Sequence, residues 1–408
     1  VARNCKRLGP FVLAILAVLA LAGCGGSGSS GRIGVGDAGR GILLNYSLLE
    51  EYSEFGMNSV LTYAGSSYSA DYEVKLYKIS YQSIDTDGNP ITLSGAVAIP
   101  DGTTSGSLIS YQHSTATERS NVPSGNNDEI WFVSAMYASS GNYVVAAADY
   151  IGLGDDTSHF HPYVHAASEA SASLDCIRAA RTLCQRLGFT LDTKLFLAGY
   201  SQGGHSTMAL TQTIDNLNST EFQPLASAPM SGPYDLSDTQ LDYAFNDPSA
   251  DAPTFLAYVT LAYQKVYGNV YSAPAAAFIS PYDTQVFTLF NGQNDLTQIA
   301  DQLPSQPSNL FQPSFVSGVL GTDPNAFRAD LVLNDNYNWK PTTPMQIYAS
   351  TGDEVVSYQN AVKAVNAMKA LGATNVELVD IPGAPTHLNG IYKALPMARA
   401  WFDQLAGY

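Results

Sequence analysis

The chain is a succession of short apolar runs with two different periods. Glu73 to Tyr81 alternates apolar and polar positions, Asp85-Thr-Asp-Gly-Asn89 breaks it, and Ile91 to Ile99 alternates again, which reads as a hairpin. Ser107 to Gln112, Tyr143 to Ala148, Leu195 to Ala198, Leu225 to Met230, Met345 to Ser350 and Val376 to Ile381 are short apolar runs of strand type. Between them lie segments with helical spacing: Asp128 to Ser139, His165 to Leu187, His205 to Leu217, Ser357 to Leu371 and Ile391 to Leu405. Strands alternating with helices predict an α/β fold, a mostly parallel sheet with helices on both faces, opened by an antiparallel hairpin. Ligands then bind beyond the carboxyl ends of the strands.

One of these junctions carries chemistry. Lys194-Leu-Phe-Leu-Ala-Gly-Tyr-Ser-Gln-Gly-Gly-His205 places G-x-S-x-G between a strand and a helix, the context of a nucleophile elbow. Gly199 and Gly203 suit a turn too tight for side chains, and Ser201 is lifted to the rim of the sheet. A serine hydroxyl needs a base. Of the two later histidines, His205 sits one turn along the same helix and reads as a packing or hydrogen-bonding residue. His387, in Ile381-Pro-Gly-Ala-Pro-Thr-His-Leu, follows a strand on a loop and fits the role. Asp353, after Gly352 at the end of the 345–350 run, is the natural orienter of His387, with Glu354 and Asp235 as alternatives.

These residues, in the order Ser201, Asp353, His387, resemble the triad of the α/β-hydrolase superfamily. Ser110-Tyr-Gln-His-Ser-Thr115 and Asp149-Tyr-Ile-Gly-Leu-Gly154, followed by His161-Pro-Tyr163, resemble its secretory lipase branch. The resemblance spans roughly Asp71 to the C-terminus, apart from a variable insertion. It implies hydrolysis of apolar acyl esters, with no metal or organic cofactor. It also implies an oxyanion hole formed by the backbone N–H of Gln202 and the His113–Ser114 turn, with Ser114 as the second donor. Residues 236–340, too long for a bare loop and helical at Phe255 to Tyr267 and Asp295 to Leu303, look like a cap. The core then comprises residues 46–235 and 341–408. Two rival functions share these residues: a peptidase or aminopeptidase on the same scaffold, and a surface-anchored binding protein without catalysis.

Residues 1–23 resemble a bacterial lipoprotein signal peptide: a basic start at Arg3, Lys6 and Arg7, an apolar run from Phe11 to Leu21, and Leu21-Ala-Gly-Cys24. The apolar run is too short to span a bilayer comfortably. The resemblance implies a lipid anchor on Cys24 and a place in the bacterial cell envelope, or secretion. Gly25 and Gly26 resemble outer-membrane sorting. Residues 24–45 are rich in Gly and Ser and read as a tether.

Without Arg3, Lys6 and Arg7 the net charge moves from −17 to −20, which argues against nucleic acid, polyphosphate or anionic lipid headgroups as partners. With 45% hydrophobic and 13% charged residues the body can bury a large core. Cys176 and Cys184 lie on one helix about 12 Å apart, beyond the roughly 7 Å that a disulfide bridges. Both are expected as buried free thiols. His159, His161 and His165 lack the carboxylate or cysteine partners of a metal site and read as loop or cleft wall. The oligomeric state is left open.

Overall fold

The computed structural model describes residues 39–408 apart from 126, 218 and 219. The expected leader, Cys24 and most of the tether lie outside the described residues. Strands β1 (Leu43–Tyr52), β2 (Glu73–Ile84), β3 (Pro90–Asp101), β4 (Ser105–Gln112), β5 (Tyr143–Ala148), β6 (Thr190–Tyr200), β7 (Pro224–Met230), β8 (Met345–Ala349) and β9 (Val376–Asp380) form one sheet. Their order is β1-β2-β3-β5-β4-β6-β7-β8-β9. β1, β2, β3 and β5 meet antiparallel. From β5 onward every pairing is parallel. The mostly parallel α/β sheet is therefore as expected. β1 is a difference: it begins at Leu43, inside the segment read as tether. It alternates over Leu44, Tyr46 and Leu48, but on an edge strand, with all three exposed.

Helices α1 (Glu54–Tyr63), α2 (Asp128–Val133, continued by a π-helical turn over Ser134–Ser139), α3 (Ala166–Leu187) and α4 (Gln202–Leu217) precede β7. Between β7 and β8 come a π-helical turn (Leu236–Gln240), α5 (Leu241–Asn246), α6 (Ala252–Tyr267), α7 (Pro274–Ala277) and α8 (Tyr282–Leu289). They are followed by α9 (Leu296–Ala300), α10 (Pro307–Leu310), α11 (Pro313–Leu320) and α12 (Ala326–Leu333). α13 (Gln359–Ala370) and α14 (His387–Ala406) close the fold.

The period of two sorts the central strands onto two cores. Ile109, Val145 and Phe196 face α14 and the π-helical turn after α2, packing on Met136, Leu395 and Phe402. Leu108, Val144, Leu195 and Leu197 face the other way, onto Ile177 and Leu183 of α3 and Leu210 of α4. The insertion between β7 and β8 has its own apolar cluster, including Leu256, Tyr263, Phe278, Phe311 and Phe327, into which Tyr163 and Val164 of the core project. The helical character expected for that insertion is present, in many short helices cut by prolines.

α3 shows how locally determined these elements are. The His165 side chain accepts from Ser168 N at its start, and Gly188, at φ 77°, ends it in the left-handed conformation. Cys176 and Cys184 are free and buried on it, and burial pushes the Cys184 thiol up to about 12 and the Cys176 thiol higher. On protein starting at Gly39, a thiol reagent such as Ellman's should detect neither cysteine in the native state and both after denaturation. Rapid native labelling would contradict this packing.

Candidate active site

The site is built where β4, β6 and β7 end. At the β6–α4 junction the chain reverses through Ser201, at φ 60°. A Cβ on Gly203 would lie 1.9 Å from the Gln112 carbonyl oxygen, one on Gly199 2.4 Å from Gly203 O, and one on Gly204 2.3 Å from Met230 O. No side chain fits at any of the three. The Ser201 N–H donates to Met230 O at 2.9 Å, and Gly204 N returns to Ser201 O at 2.8 Å, which starts α4.

Ser201, His387 and Asp353 come together. His387 Nε2 is 2.8 Å from Ser201 Oγ, and His387 Nδ1 is 2.8 Å from Asp353 Oδ2. Asp353 is buried, and its other oxygen accepts from the N–H groups of Val355 at 3.0 Å and Val356 at 2.8 Å. A carboxylate facing only donors is in its ionised form, so Nδ1 carries a proton and Nε2 offers its lone pair to the serine. The geometry can take a proton from Ser201 and return it. His387 is not on a loop but is the first residue of α14.

The two other acids considered beside Asp353 act elsewhere. Glu354 Oε2 accepts the backbone N–H of His387 at 3.0 Å, so it fixes the main chain of that residue and not its ring. Asp235 is held by Lys363 Nζ at 2.5 Å and by Thr239 N at 2.8 Å. Tyr200 OH donates to His387 O at 2.6 Å, tying β6 to the start of α14.

The expected oxyanion donors divide. Gln202 opens α4, where N–H groups have no intrahelical acceptor and the helix dipole favours negative charge. Ser114 differs from expectation. Its N–H is directed at the carboxylate of Glu129, 3.2 Å from each oxygen, so it is already engaged. The His113 ring is buried, with its pKa lowered to about 4 by desolvation, and it stacks on Tyr150 at 4.4 Å between centroids.

Beneath the elbow lies a buried polar network. Gln202 Nε2 donates to Glu169 Oε1 and to His161 Nε2, both at 2.8 Å. His161 Nδ1 donates to Ile151 O at 2.8 Å, which leaves Nε2 as the acceptor, and burial lowers the pKa of this ring. Glu169 Oε2 meets His205 Nδ1 at 2.7 Å, and His205 Nε2 donates to Asn334 O at 3.0 Å. One proton is thus shared between Glu169 and His205, and Asn334 at the end of α12 ties the insertion to the elbow helix. His205 is a hydrogen-bonding residue, as read from its position. Glu169 was not foreseen. The signal was available: it lies on the same face of α3 as Ala172, Ser173 and Cys176, all buried.

The three histidines considered together as a metal site part company. His159 pairs with Asp156 at 2.9 Å, His161 serves Gln202, and His165 caps α3.

A β6–elbow–α4 junction with an aligned serine, histidine and aspartate on a mostly parallel sheet defines an α/β-hydrolase. The secretory lipase family profile matches residues 126–219. A Legionella pneumophila protein to which hydrolase activity has been ascribed superposes with a TM-score of 0.85 at 31% identity, covering 89% of this chain and 98% of that one. The rice cell wall degrading esterase LipA from Xanthomonas oryzae, in a ligand-bound form, gives a TM-score of 0.83 at 32% identity over 90% of this chain and 99% of that one. Candida antarctica lipase A in its closed state shares the fold, with a TM-score of 0.66 at 17% identity over 90% and 83% of the two chains. No protein with a curated description matches. The chain belongs to the secretory lipase branch of the α/β-hydrolases and is an ester-hydrolysing enzyme.

Removing Glu169 leaves Gln202 and His205 without their shared acceptor. Glu169→Ala should therefore cost about 3 kcal/mol of stability, read as a lower denaturant midpoint. Glu169→Gln should recover most of it, because a neutral His205 can accept from the new amide while still donating to Asn334. Equal midpoints for wild type and Glu169→Ala would show that the network contributes nothing.

Proposed function

We propose that this protein is a carboxylesterase working through an acyl-enzyme on Ser201. The observation that carries the reading is the continuous line Asp353–His387–Ser201, with both hydrogen bonds at 2.8 Å, opening onto two cavities. Ser201 Oγ attacks the acyl carbon while His387 Nε2 takes its proton. Asp353 keeps the ring oriented and stabilises the imidazolium. The Gln202 N–H faces the developing oxyanion. The proton then passes from His387 to the departing alkoxide, and water repeats the sequence to release the acid.

The two cavities favour an esterase over a lipase of long chains. The leaving oxygen must lie where His387 can protonate it, so the alcohol occupies the cavity lined by His387, Leu388 and Tyr392, of about 270 Å³. The acyl group occupies the other, lined by Gln202, Leu236, Ala252 and Val259 and only about 70 Å³. Its walls come from α6 and the turn before α5, so the insertion acts as the cap that limits the acyl group. We further propose export and lipid attachment at Cys24, which the sequence of the leader supports.

On p-nitrophenyl esters of increasing chain length, kcat/KM should peak at short acyl groups and fall roughly tenfold or more towards long ones. Ser201→Ala should lose all but a residue of this turnover, on the order of 10³-fold or more. A profile rising to long chains would move the assignment to lipase. Turnover of aminoacyl anilides in place of esters would move it to peptidase, and turnover untouched by Ser201→Ala would remove Ser201 from the mechanism. Labelling of the full chain with a radioactive fatty acid in a bacterial host should be abolished by Cys24→Ser; label retained in that variant would overturn the anchor.

A further inference from the structure

The larger cavity has a character that the reaction itself does not require. Asp128 and Glu129, from the first turn of α2, line it beside the aromatic rings of Phe132, Tyr200, Phe255 and Tyr392. Among the described residues no lysine or arginine lines it. Phe132 and Tyr392 stand against each other at 5.2 Å between centroids, tilted by 57°. The hydroxyl of Tyr392 lies in the field of Asp128 and Glu129, which adds to burial in raising its pKa.

Glu129 is the group at the inner end. Its Oε1 accepts from Tyr111 OH and from the Ser114 hydroxyl. Ser114 N–H is shared between both oxygens, and among the described residues it is the one donor at Oε2. A carboxylate offers about four acceptor positions, so Oε2 keeps acceptor capacity. The residue is only half-buried, and the space beside it is the cavity. Burial raises the pKa of Glu129, while every protein group bonded to it in the described residues is a donor and favours the charged form. A bound anion would be repelled here. A neutral polyol would find hydroxyls and acceptors here but would gain nothing from the two negative side chains as charges. An organic cation gains from both, since ring faces and carboxylates each attract it.

We infer that this cavity is a subsite for an alcohol bearing an ammonium or quaternary ammonium group, with Glu129 as its anionic contact and Phe132 and Tyr392 as its aromatic walls. The inference rests on the assignment of this cavity to the leaving group in the proposed reaction.

The test uses two esters of the same size, butyrylcholine and its uncharged isostere 3,3-dimethylbutyl butyrate. Binding of each to Ser201→Ala protein is measured by calorimetry, and kcat/KM of each on wild type. The choline ester should bind, and be turned over, roughly tenfold better. Glu129→Gln should bring the ratio close to one, and Tyr392→Leu, which leaves the Ser114 contacts of Glu129 in place, should lower it severalfold. Comparing two esters on the same variant cancels any general loss from a disturbed Ser114. Equal binding of the two esters, or a preference unmoved by both substitutions, would overturn the subsite. Selective binding to Ser201→Ala protein without turnover by wild type would support the subsite and refute the esterase reading, so the two can fail separately.

Discussion

The backbone at Ser201 is the constraint around which the rest is arranged. A serine at φ 60° costs on the order of 1–2 kcal/mol, and the strain persists because neighbouring main chain leaves no alternative. Gln112 O of β4 and Met230 O of β7 approach Gly203 and Gly204 so closely that neither position admits a Cβ. The ends of three parallel strands thus converge on one turn. This convergence points Ser201 Oγ out of the sheet and delivers the N-terminus of α4 to the same spot. The serine and the Gln202 N–H are therefore positioned by one feature.

A turn held so tightly needs support below, and the support is polar. Gln202 is buried, and its amide nitrogen is held by Glu169 and His161. Through His205 the same carboxylate reaches Asn334, beyond the helices of the insertion. A buried charge without a partner would destabilise the fold. Here the hydrogen bonds close a circuit between α3, α4 and the end of the insertion. Insertion and elbow are then parts of one packed unit, and the position of Gln202 depends on both.

What could be read in the sequence follows from how local its determinants are. β6, the elbow and α4 are adjacent in the chain, and their glycines, apolar run and helical segment all report the same turn. Asp353 and His387 were readable because each follows a strand whose apolar run marks its end. The acids that hold the site were hidden for the opposite reason. Glu169 meets His205 across 36 residues and His205 meets Asn334 across 129, and no local pattern announces such pairings. Ser114 shows the same limit: its place in the loop after β4 was legible, but the carboxylate that takes its N–H comes from a later helix. β1 escaped notice because its alternating residues, Leu44, Tyr46 and Leu48, follow directly on a Gly-rich run that reads as tether.

The direction of proton transfer divides the site between two parts of the chain. In the proposed mechanism His387 protonates an oxygen on its own side, and its place is set by Glu354 at its N–H and Tyr200 at its carbonyl. In the proposed reaction the alcohol therefore meets surfaces from α2 and α14, which belong to the core. The cavity proposed for the acyl group is lined by α6 and the turn before α5, which belong to the insertion, and by Tyr163, Val164, Val355 and Val356 of the core. Changes in the insertion should then act on acyl choice and changes in α2 on alcohol choice. The separation is incomplete, since Leu296 of the insertion also lines the alcohol cavity, and Phe255 joins the two. It lines both cavities, so any shift of α6 that widens one narrows or reshapes the other, and the two specificities are coupled through a single ring.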